Sequence, residues 1–459
     1  MAHKLDFDPV LIKKYDKSGP RYTSYPTAPQ FTTSYTAETL QNCIERSNTE
    51  MIPAPLSLYI HIPYCDTICY YCACNKIITK NHSVSNEYLD LLEAEMQILA
   101  PLFDPDRELE QLHLGGGTPT FLNDEELITL MRLIEENFKI AETCEMSIEI
   151  DPRKVTNETL ELLTNIGFNR ISLGVQDFDE KVQQAVNRIQ SYELVEERLA
   201  KARSLNIKSI NMDLIYGLPF QTVETFEQTL DKVIVLKPDR LSIFNYAHLP
   251  ERFKPQRRIN EDDLPSPAEK LKIFELTMNK LQQAGYVYIG MDHFALEDDS
   301  MVKAQKEGSL QRNFQGYSTH AHTDLVAIGV SSIGSIFDSY SQNSSNMDEY
   351  REMVTAGNLP IVRGLVMTAD DRLRKQVINQ LICHFKLDIE MIEAHWEINF
   401  KSYFKSEIKQ LERMVEDGLI KLDDKSICVE TRGRLLIRNI CMVFDKYMKD
   451  NVVKFSKVI

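Results

Sequence analysis

Nowhere does this 459-residue chain approach the roughly 20 uninterrupted apolar residues that a membrane-spanning helix needs. Its opening, Met1-Ala2-His3-Lys4-Leu5-Asp6, has no apolar signal core and none of the Arg-rich, acid-poor character of a transit peptide, so the cytoplasm is the default location. Positive charge is scarce as well: 52 Lys and Arg face 68 Asp and Glu, a formal net charge of −16. A field of that sign argues against nonspecific binding to nucleic acid or to an anionic membrane, and an anionic substrate must be held by local basic residues. The even, dispersed cysteines of a secreted disulfide framework are missing too. Nine cysteines are present and four of them crowd between Cys65 and Cys74, a distribution that reads as metal ligation in a reducing compartment. Cys43, Cys144, Cys383, Cys428 and Cys441 sit in apolar or helical contexts and read as ordinary buried thiols. Repeats and low-complexity segments are absent.

What is there is long enough for one large domain with one or two appendages. The first fifty residues are polar and turn-rich, and Gly19-Pro20-Arg21-Tyr22-Thr23-Ser24-Tyr25-Pro26-Thr27 looks constrained because both prolines fix φ. From about residue 55 short β-type runs alternate with helical patterns. The runs are 56–62, 109–114, 145–150, 170–175, 209–215 and 240–246; the helices are 85–99, 124–138, 157–166, 193–205 and 223–236. Strands alternating with helices imply right-handed βαβ units and a parallel sheet, and six units suit a barrel or partial barrel. The chemistry of such a barrel gathers at the C-terminal ends of its strands. After about residue 260 the rhythm changes. Residues 286–294 read as one further strand, 297–316 as a polar connection, and the stretch from 368 onward as mostly helical. A hairpin over 420–430, turning at Asp423-Asp424, gives that last stretch a winged-helix-like pattern without a basic stripe. The segmentation that follows is an N-terminal arm at 1–50, a barrel at 51–295, a connection at 296–365 that closes the barrel mouth, and a helical domain at 366–459.

The first strand runs into Cys65-Asp66-Thr67-Ile68-Cys69-Tyr70-Tyr71-Cys72-Ala73-Cys74-Asn75. Cys-x3-Cys-x2-Cys puts three thiolates on one tight loop, enough to bind three irons of a [4Fe–4S] cluster and leave the fourth iron open. An open iron can chelate the amino and carboxylate groups of S-adenosylmethionine, whose reductive cleavage gives a 5′-deoxyadenosyl radical. The competing reading is a zinc site. Zinc favours four closed ligands in paired Cys-x2-Cys units, and Cys72-x-Cys74 is an awkward way to supply the fourth.

The second strand ends in Gly115-Gly116-Gly117-Thr118-Pro119, which is not a dinucleotide fingerprint but allows a backbone to approach a ligand closely. Other strand ends carry Glu149 and Asp151, Gln176 and Asp177, and Asp213, while Arg188 offers a bidentate partner for a carboxylate. Each acid alone reads as a cap; together, at equivalent positions, they read as a ligand site. His61 adjoins the cysteine loop and reads as its support, and His293 as a structural histidine.

With those residues in view, the chain resembles the oxygen-independent coproporphyrinogen III oxidase family of radical S-adenosylmethionine enzymes in haem biosynthesis. The likeness runs through 19–27, 59–75, 115–120, 149–152, 174–178, 213–219, 244–250, 290–294 and 433–442; Arg21–Thr27 together with Cys72–Asn75 is its most specific part. The stretch Thr319-His320-Ala321-His322-Thr323 looks less typical of the family. The resemblance narrows the fold to a partial (β/α)6 barrel and implies a [4Fe–4S] cluster on Cys65, Cys69 and Cys72 and two S-adenosylmethionine molecules. The first would touch Tyr59, Gly116, Glu149 and Arg188. The second would touch Tyr71, Gly117, Thr118, Gln176, Asp213, Ala247 and Ile333. It further implies oxidative decarboxylation of two propionates of coproporphyrinogen III to vinyl groups under anaerobic conditions, giving protoporphyrinogen IX. Arg21 is then a candidate anchor for the substrate's carboxylates. Expected partners are the tetrapyrrole and an electron donor of flavodoxin type, with no nucleic acid and no membrane, and the chain is expected to act as a monomer. Two rivals stand beside this: a haem chaperone sharing the barrel and three cysteines, and a zinc-stabilised structural protein. The Arg21–Thr27 segment and the Cys74-Asn75 pair count against the chaperone.

Overall fold

The structure, a computed structural model, describes residues 5–320 and 322–449. It forms two compact units that interleave along the chain, one drawn from residues 31–266 and 322–366 and the other from the remaining segments. The segmentation at 50, 295 and 365 follows chain order; the units do not, because residues 322–366 complete the sheet of the first unit.

That sheet is built on six strands: β1 (Leu56–Ile62), β2 (Leu109–Gly116), β3 (Ile140–Ile150), β4 (Arg170–Gln176), β5 (Ser209–Tyr216) and β6 (Arg240–Asn245). All pair in parallel with their sequence neighbours, as expected of successive βαβ units. Helices Val84–Leu99, Asp124–Asn137, Asn157–Asn165, Tyr192–Ser204 and Val223–Leu236 follow the first five strands. Four of them begin at polar caps, Thr156 accepting from the Thr159 N–H at one. Asn123 and Glu126 form a capping box, Thr222 and Thr225 another, and Ser191 accepts from the Leu194 N–H.

A seventh parallel strand, β7 (Asp324–Ile328), lies on the far side of β1, in register from Leu56↔Asp324 to Ile60↔Ile328. Beyond it β8 (Ile333–Ile336), β9 (Ser339–Asn343) and β10 (Ile361–Val366) add antiparallel, giving the order β10-β9-β8-β7-β1-β2-β3-β4-β5-β6. The expected connection at 296–365 therefore contains four strands of the main sheet.

The two faces of the sheet differ chemically. Leu58, Ile60, Leu112, Leu114, Ile148, Ile171, Leu173, Ile210, Met212, Leu214, Leu241 and Ile243 are buried on one face. The alternate positions carry Tyr59, His113, Ser147, Glu149, Ser172, Asn211 and Asp213, all half-buried. A pleated strand sends successive side chains to opposite faces, so one face makes the core and the other is a polar lining.

Beside the strand that leads into the cysteine loop, the core holds a buried carboxylate. Glu95, 1% exposed, accepts from the Gly329 N–H (2.8 Å), the Asn343 amide (2.6 Å) and the Tyr350 hydroxyl (2.5 Å). Neighbouring Tyr88 donates to the His61 carbonyl at 2.8 Å and accepts from the Val330 N–H at 3.0 Å. Burial pushes the Glu95 carboxyl up from 4.5 to about 7 against the pull of those three donors. A raised carboxyl stabilises the fold fully below its unfolded value, and that contribution is lost as pH rises through about 7, a swing of about 3 kcal/mol at most. Urea unfolding across pH 5 to 8 is expected to show wild-type stability falling relative to Glu95→Gln as pH increases. Parallel pH profiles for the two proteins would refute this.

The second unit has its own elements. Helix Pro9–Tyr15 starts at Asp8, whose carboxylate accepts from the Val10 and Leu11 N–H groups. Helix Ala37–Asn48, in the first unit, likewise lies within the N-terminal fifty residues expected to be turn-rich. The single strand expected over 286–294 is a hairpin, Tyr286–Gly290 with His293–Leu296, because Gly290 and Met291 take positive φ (144° and 54°) and reverse the chain. The expected polar connection 297–316 holds helix Ser300–Glu307, capped by Asp299, and then the strand Gln311–Asn313, which pairs with Gly316–Ser318. From Ala369 onward the unit is mainly helical, with a small antiparallel sheet in which Ser426–Val429 lies between Lys386–Asp388 and Ile420–Leu422. Among the described residues no helix is long and apolar enough to cross a membrane.

Candidate active site

Cys65, Cys69 and Cys72 lie on the long segment between β1 and helix Val84–Leu99. A segment of that length needs its own restraints, and they come from several elements. Tyr64–Cys65 pairs in parallel with Ile77–Ile78, the Thr79 N–H donates to the Cys65 carbonyl (3.0 Å), and the Cys72 N–H to the Cys69 carbonyl (3.2 Å). From the end of β2, the N–H groups of Gly117 and Thr118 donate to the carbonyls of Ile62 (2.8 Å) and Tyr64 (2.9 Å). After β4, the Asn187 amide donates to the Ile68 carbonyl (2.7 Å), and Tyr70 N–H reaches Val186 (3.0 Å). Tyr70 and Tyr71 pack on Val182, Val186, Ile215, Leu218, Tyr246 and Ile259.

The glycines at the end of β2 are explained by this docking. A Cβ on Gly117 would fall 2.7 Å from the carbonyl oxygens of both Pro63 and Tyr64. At Gly116, φ is +117° and a Cβ would meet the His61 ring at 2.7 Å and the Ile62 carbonyl at 2.9 Å. The expectation was close approach to a ligand. The side-chain space of these two glycines is taken by the base of the cysteine loop.

Around the thiols the donors are charged. Cys69, the buried one of the three, receives Arg188 Nη1 at 3.6 Å and Arg153 Nη2 at 3.9 Å. Asp151 fixes both guanidinium groups, at 2.6 Å from Arg153 and 3.3 Å from Arg188, while Arg188 Nη2 also donates to the Gly174 carbonyl at 2.5 Å. Thr118 Oγ1 lies 3.3 Å from Cys65 Sγ, and Lys76 Nζ donates to the Cys72 carbonyl (3.1 Å). The Cys72 thiol is drawn down to about 6, by a hydrogen bond from the Cys74 thiol first and by Lys76 against the effect of burial; burial pushes Cys65 up to about 11.

The polar sheet face continues from the loop. Tyr59 donates to or accepts from His61 Nδ1 (3.0 Å), and His61 Nε2 meets the Asn75 carbonyl (3.0 Å), so His61 buttresses the loop as expected. Tyr59 also stacks on His113, with centroids 5.8 Å apart. His113 Nε2 is 3.5 Å from Glu149, whose other oxygen accepts from the Gly116 N–H at 3.1 Å. Enclosure in the barrel would raise the Glu149 carboxyl, but His113 and the Gly116 N–H outweigh it and hold it below the ordinary value. Asp213 accepts from Ser172 (3.0 Å) and Asn211 (2.8 Å), and enclosure first and the Glu149 charge second push it up to about 6. Gln176 closes β4 with φ +71°, an unfavourable conformation for its residue type of the kind that collects at functional sites.

Ala247 follows β6 and Ile333 opens β8; both are half-buried, and their side chains offer only apolar contact. Arg21 belongs to the other unit, where it pairs with Asp292. His113, Ser172 and Asn211 were missed in the sequence, although their i, i+2 spacing from Gly115, Gly174 and Asp213 marks the same lining; Arg153, on the single helical turn after β3, was missed as well and carries no such signal. Asp177 is a buried anchor, accepting from Thr229 Oγ1 (2.7 Å), Gln221 and the Asp179 N–H. His293 stacks edge-on against Tyr317, in keeping with a structural role. In the less typical stretch 319–323, Ala321 lies outside the described residues, and exposed His322 meets Glu110 at 3.1 Å.

Comparison with known proteins now decides the family. The chain is 52% identical, over all of both chains, to the oxygen-independent coproporphyrinogen III oxidase of Pseudomonas aeruginosa, and 48% identical over all of both to that of Escherichia coli. It belongs to the oxygen-independent coproporphyrinogen III oxidase family. Residues 59–233 match the radical SAM superfamily and residues 367–436 the HemN C-terminal domain. The solved Escherichia coli coproporphyrinogen III oxidase, described as a radical SAM enzyme, superposes with a TM-score of 0.92 at 47% identity, covering 97% of this chain and 100% of that one. The family is one of oxidoreductases of haem biosynthesis, and its radical SAM character implies a [4Fe–4S] cluster and S-adenosylmethionine. The donor set fits such a group. Three thiols share one restrained loop, guanidinium groups face Cys69, and Arg188 Nε is buried without a hydrogen-bond partner.

Proposed function

We propose that this protein carries out the anaerobic oxidative decarboxylation of two propionate side chains of coproporphyrinogen III, giving protoporphyrinogen IX. The observation that carries the reading is the cysteine loop held against Thr118 at Cys65 and against Arg188 at Cys69, beside the Glu149 carboxylate bonded to the Gly116 N–H, in a chain aligned over its whole length with oxidases of that name.

When bound, the cluster on those cysteines and S-adenosylmethionine supply a carbon radical able to abstract hydrogen from an unactivated C–H bond. Each propionate would lose a β-hydrogen atom, CO2 and one further electron to an external acceptor, leaving a vinyl group. The chain's own residues bind and orient. Arg188, pinned by Asp151 and Gly174, presents a guanidinium to the carboxylate of a first S-adenosylmethionine, and Glu149, ionised at neutral pH, accepts from its ammonium. Tyr59 and Gly116 complete that set. A second S-adenosylmethionine is assigned to Tyr71, Gly117, Thr118, Gln176, Asp213, Ala247 and Ile333, with Asp213 as the ribose acceptor. Arg21 anchors a substrate carboxylate. The electron comes from a donor of flavodoxin type, and the enzyme works as a cytoplasmic monomer.

The test is anaerobic reconstitution with iron and sulfide, reduction, and addition of S-adenosylmethionine and coproporphyrinogen III. Formation of both 5′-deoxyadenosine and protoporphyrinogen IX is expected. Cofactor cleavage without a decarboxylated tetrapyrrole, together with tight retention of haem, would overturn the proposal in favour of a haem-carrying protein.

A further inference from the structure

The segment around Arg21 is held in an unusual way. Three successive carbonyls accept from two buried guanidinium groups: Arg438 donates to Gly19 and, at 3.0 Å, to Pro20, and Arg312 Nε to Arg21 at 3.3 Å. Arg438 is 5% exposed and Arg312 9%, the latter lying over the Tyr317 ring with 4.8 Å to its centroid. At Gly19 a Cβ would come within 2.4 Å of Met442 Sδ, and Tyr22 takes φ +47° while its hydroxyl donates to Asp445 at 3.0 Å. The backbone from 19 to 22 is thus fixed from several sides, and what it presents is the Arg21 side chain, one-third exposed and 3.1 Å from Asp292.

Burying two arginines is costly unless their charges are paired and hydrogen-bonded. Neutral amides could donate to the same carbonyls; what the guanidinium groups add is charge. Arg21, Arg312 and the Asp292 carboxylate all gather within electrostatic reach of Arg438. The repulsion among the arginines is felt, since burial and then the Arg21 charge push Arg438 down to about 10 despite Asp292. In a chain with a net charge of −16, this is a fixed, locally positive site with one accessible guanidinium.

We propose that Arg21, backed by Arg312 and Arg438, binds a carboxylate of the tetrapyrrole, and that Asp292 is the internal carboxylate with which that ligand competes. This rests on the tetrapyrrole substrate of the preceding section. Asp292 keeps the arginine aligned when no ligand is present and sets the strength of binding. A group that merely braces the fold and one that competes with a ligand respond oppositely to its removal.

Coproporphyrin III, the air-stable oxidised form, is the probe, titrated into the full chain and followed by its fluorescence. Arg21→Gln is expected to weaken binding about tenfold, the loss of a charged hydrogen bond at a partly exposed site. Asp292→Asn is expected to tighten it, by at least about threefold, and both effects should shrink in high salt. Thermal unfolding of the two variants, both altered at partly buried side chains, serves as the check on folding. If both variants weaken binding, or neither changes it, the assignment of this site is wrong while the substrate stands. If the wild-type chain does not bind coproporphyrin III, the substrate reading falls and the site with it.

Discussion

Replacing Cys69 by serine is expected to abolish both the iron–sulfur centre and the formation of 5′-deoxyadenosine, with iron content after anaerobic reconstitution and the visible charge-transfer absorbance as the readouts. A serine hydroxyl has nearly the size of the thiol, so the loop should keep its shape. The hydroxyl stays protonated at neutral pH and is a poor soft ligand, whereas the clusters of this class are held by thiolates. Cys69 is the most exacting of the three positions. It is buried where Cys65 and Cys72 are half-buried, and it faces Arg188 and Arg153 at 3.6 Å and 3.9 Å. Those cations suit a negatively charged cluster; beside a neutral hydroxyl they have nothing to neutralise. Cys428→Ser, on the small sheet of the second unit, is the control and should keep its iron. Full iron in the Cys69 variant would remove this cysteine from the ligand set.

Much of the first unit was legible because its physics is local. Alternating strands and helices with polar caps are written in short windows, and β1 begins and ends where the apolar run 56–62 does. The additions at residues 322–366 were not legible. Strand β7 is five residues long and pairs with β1 across more than 260 residues of chain, a register that no local pattern encodes. Site residues divide in the same way. The cysteine spacing announces itself, and the strand-end acids can be listed, but their separate roles cannot. Asp151 and Asp177 look alike in sequence; one braces two arginines at Cys69, and the other is sealed among Gln221, Thr229 and the turn at Asp179. The glycine run shows the limit most clearly. Its need for space is visible in the sequence, but whether a ligand or the protein's own loop fills that space depends on a docking that only the fold supplies.

That brace leads to the second large effect. Asp151→Ala is expected to destabilise the protein by about 3–5 kcal/mol, because it leaves two guanidinium groups buried without their shared counter-ion. The side chains concerned are 8% exposed for Asp151, 9% for Arg188 and 16% for Arg153, so solvent can do little to compensate. Enclosure would raise the Asp151 carboxyl, but Arg188 first and Arg153 next outweigh it and hold it below its usual value of 3.8. Its stabilising charge is therefore fully present above that value and is lost only as the pH falls through the lowered one, so the deficit of the variant should be constant across neutral pH. Asp151→Asn separates stability from positioning. An amide oxygen can still accept from Arg153, so part of the stability should return. Without the charge, however, Arg188 and Arg153 repel each other and are free to turn from Cys69. Partners of this kind commonly govern metal affinity by 10–100-fold. Urea unfolding should rank the proteins wild type, Asn, Ala, while the iron retained against a chelator should be low in both variants. If Asp151→Asn holds iron as tightly as the wild type, Asp151 stabilises the fold and has no part in positioning the arginines at the cluster.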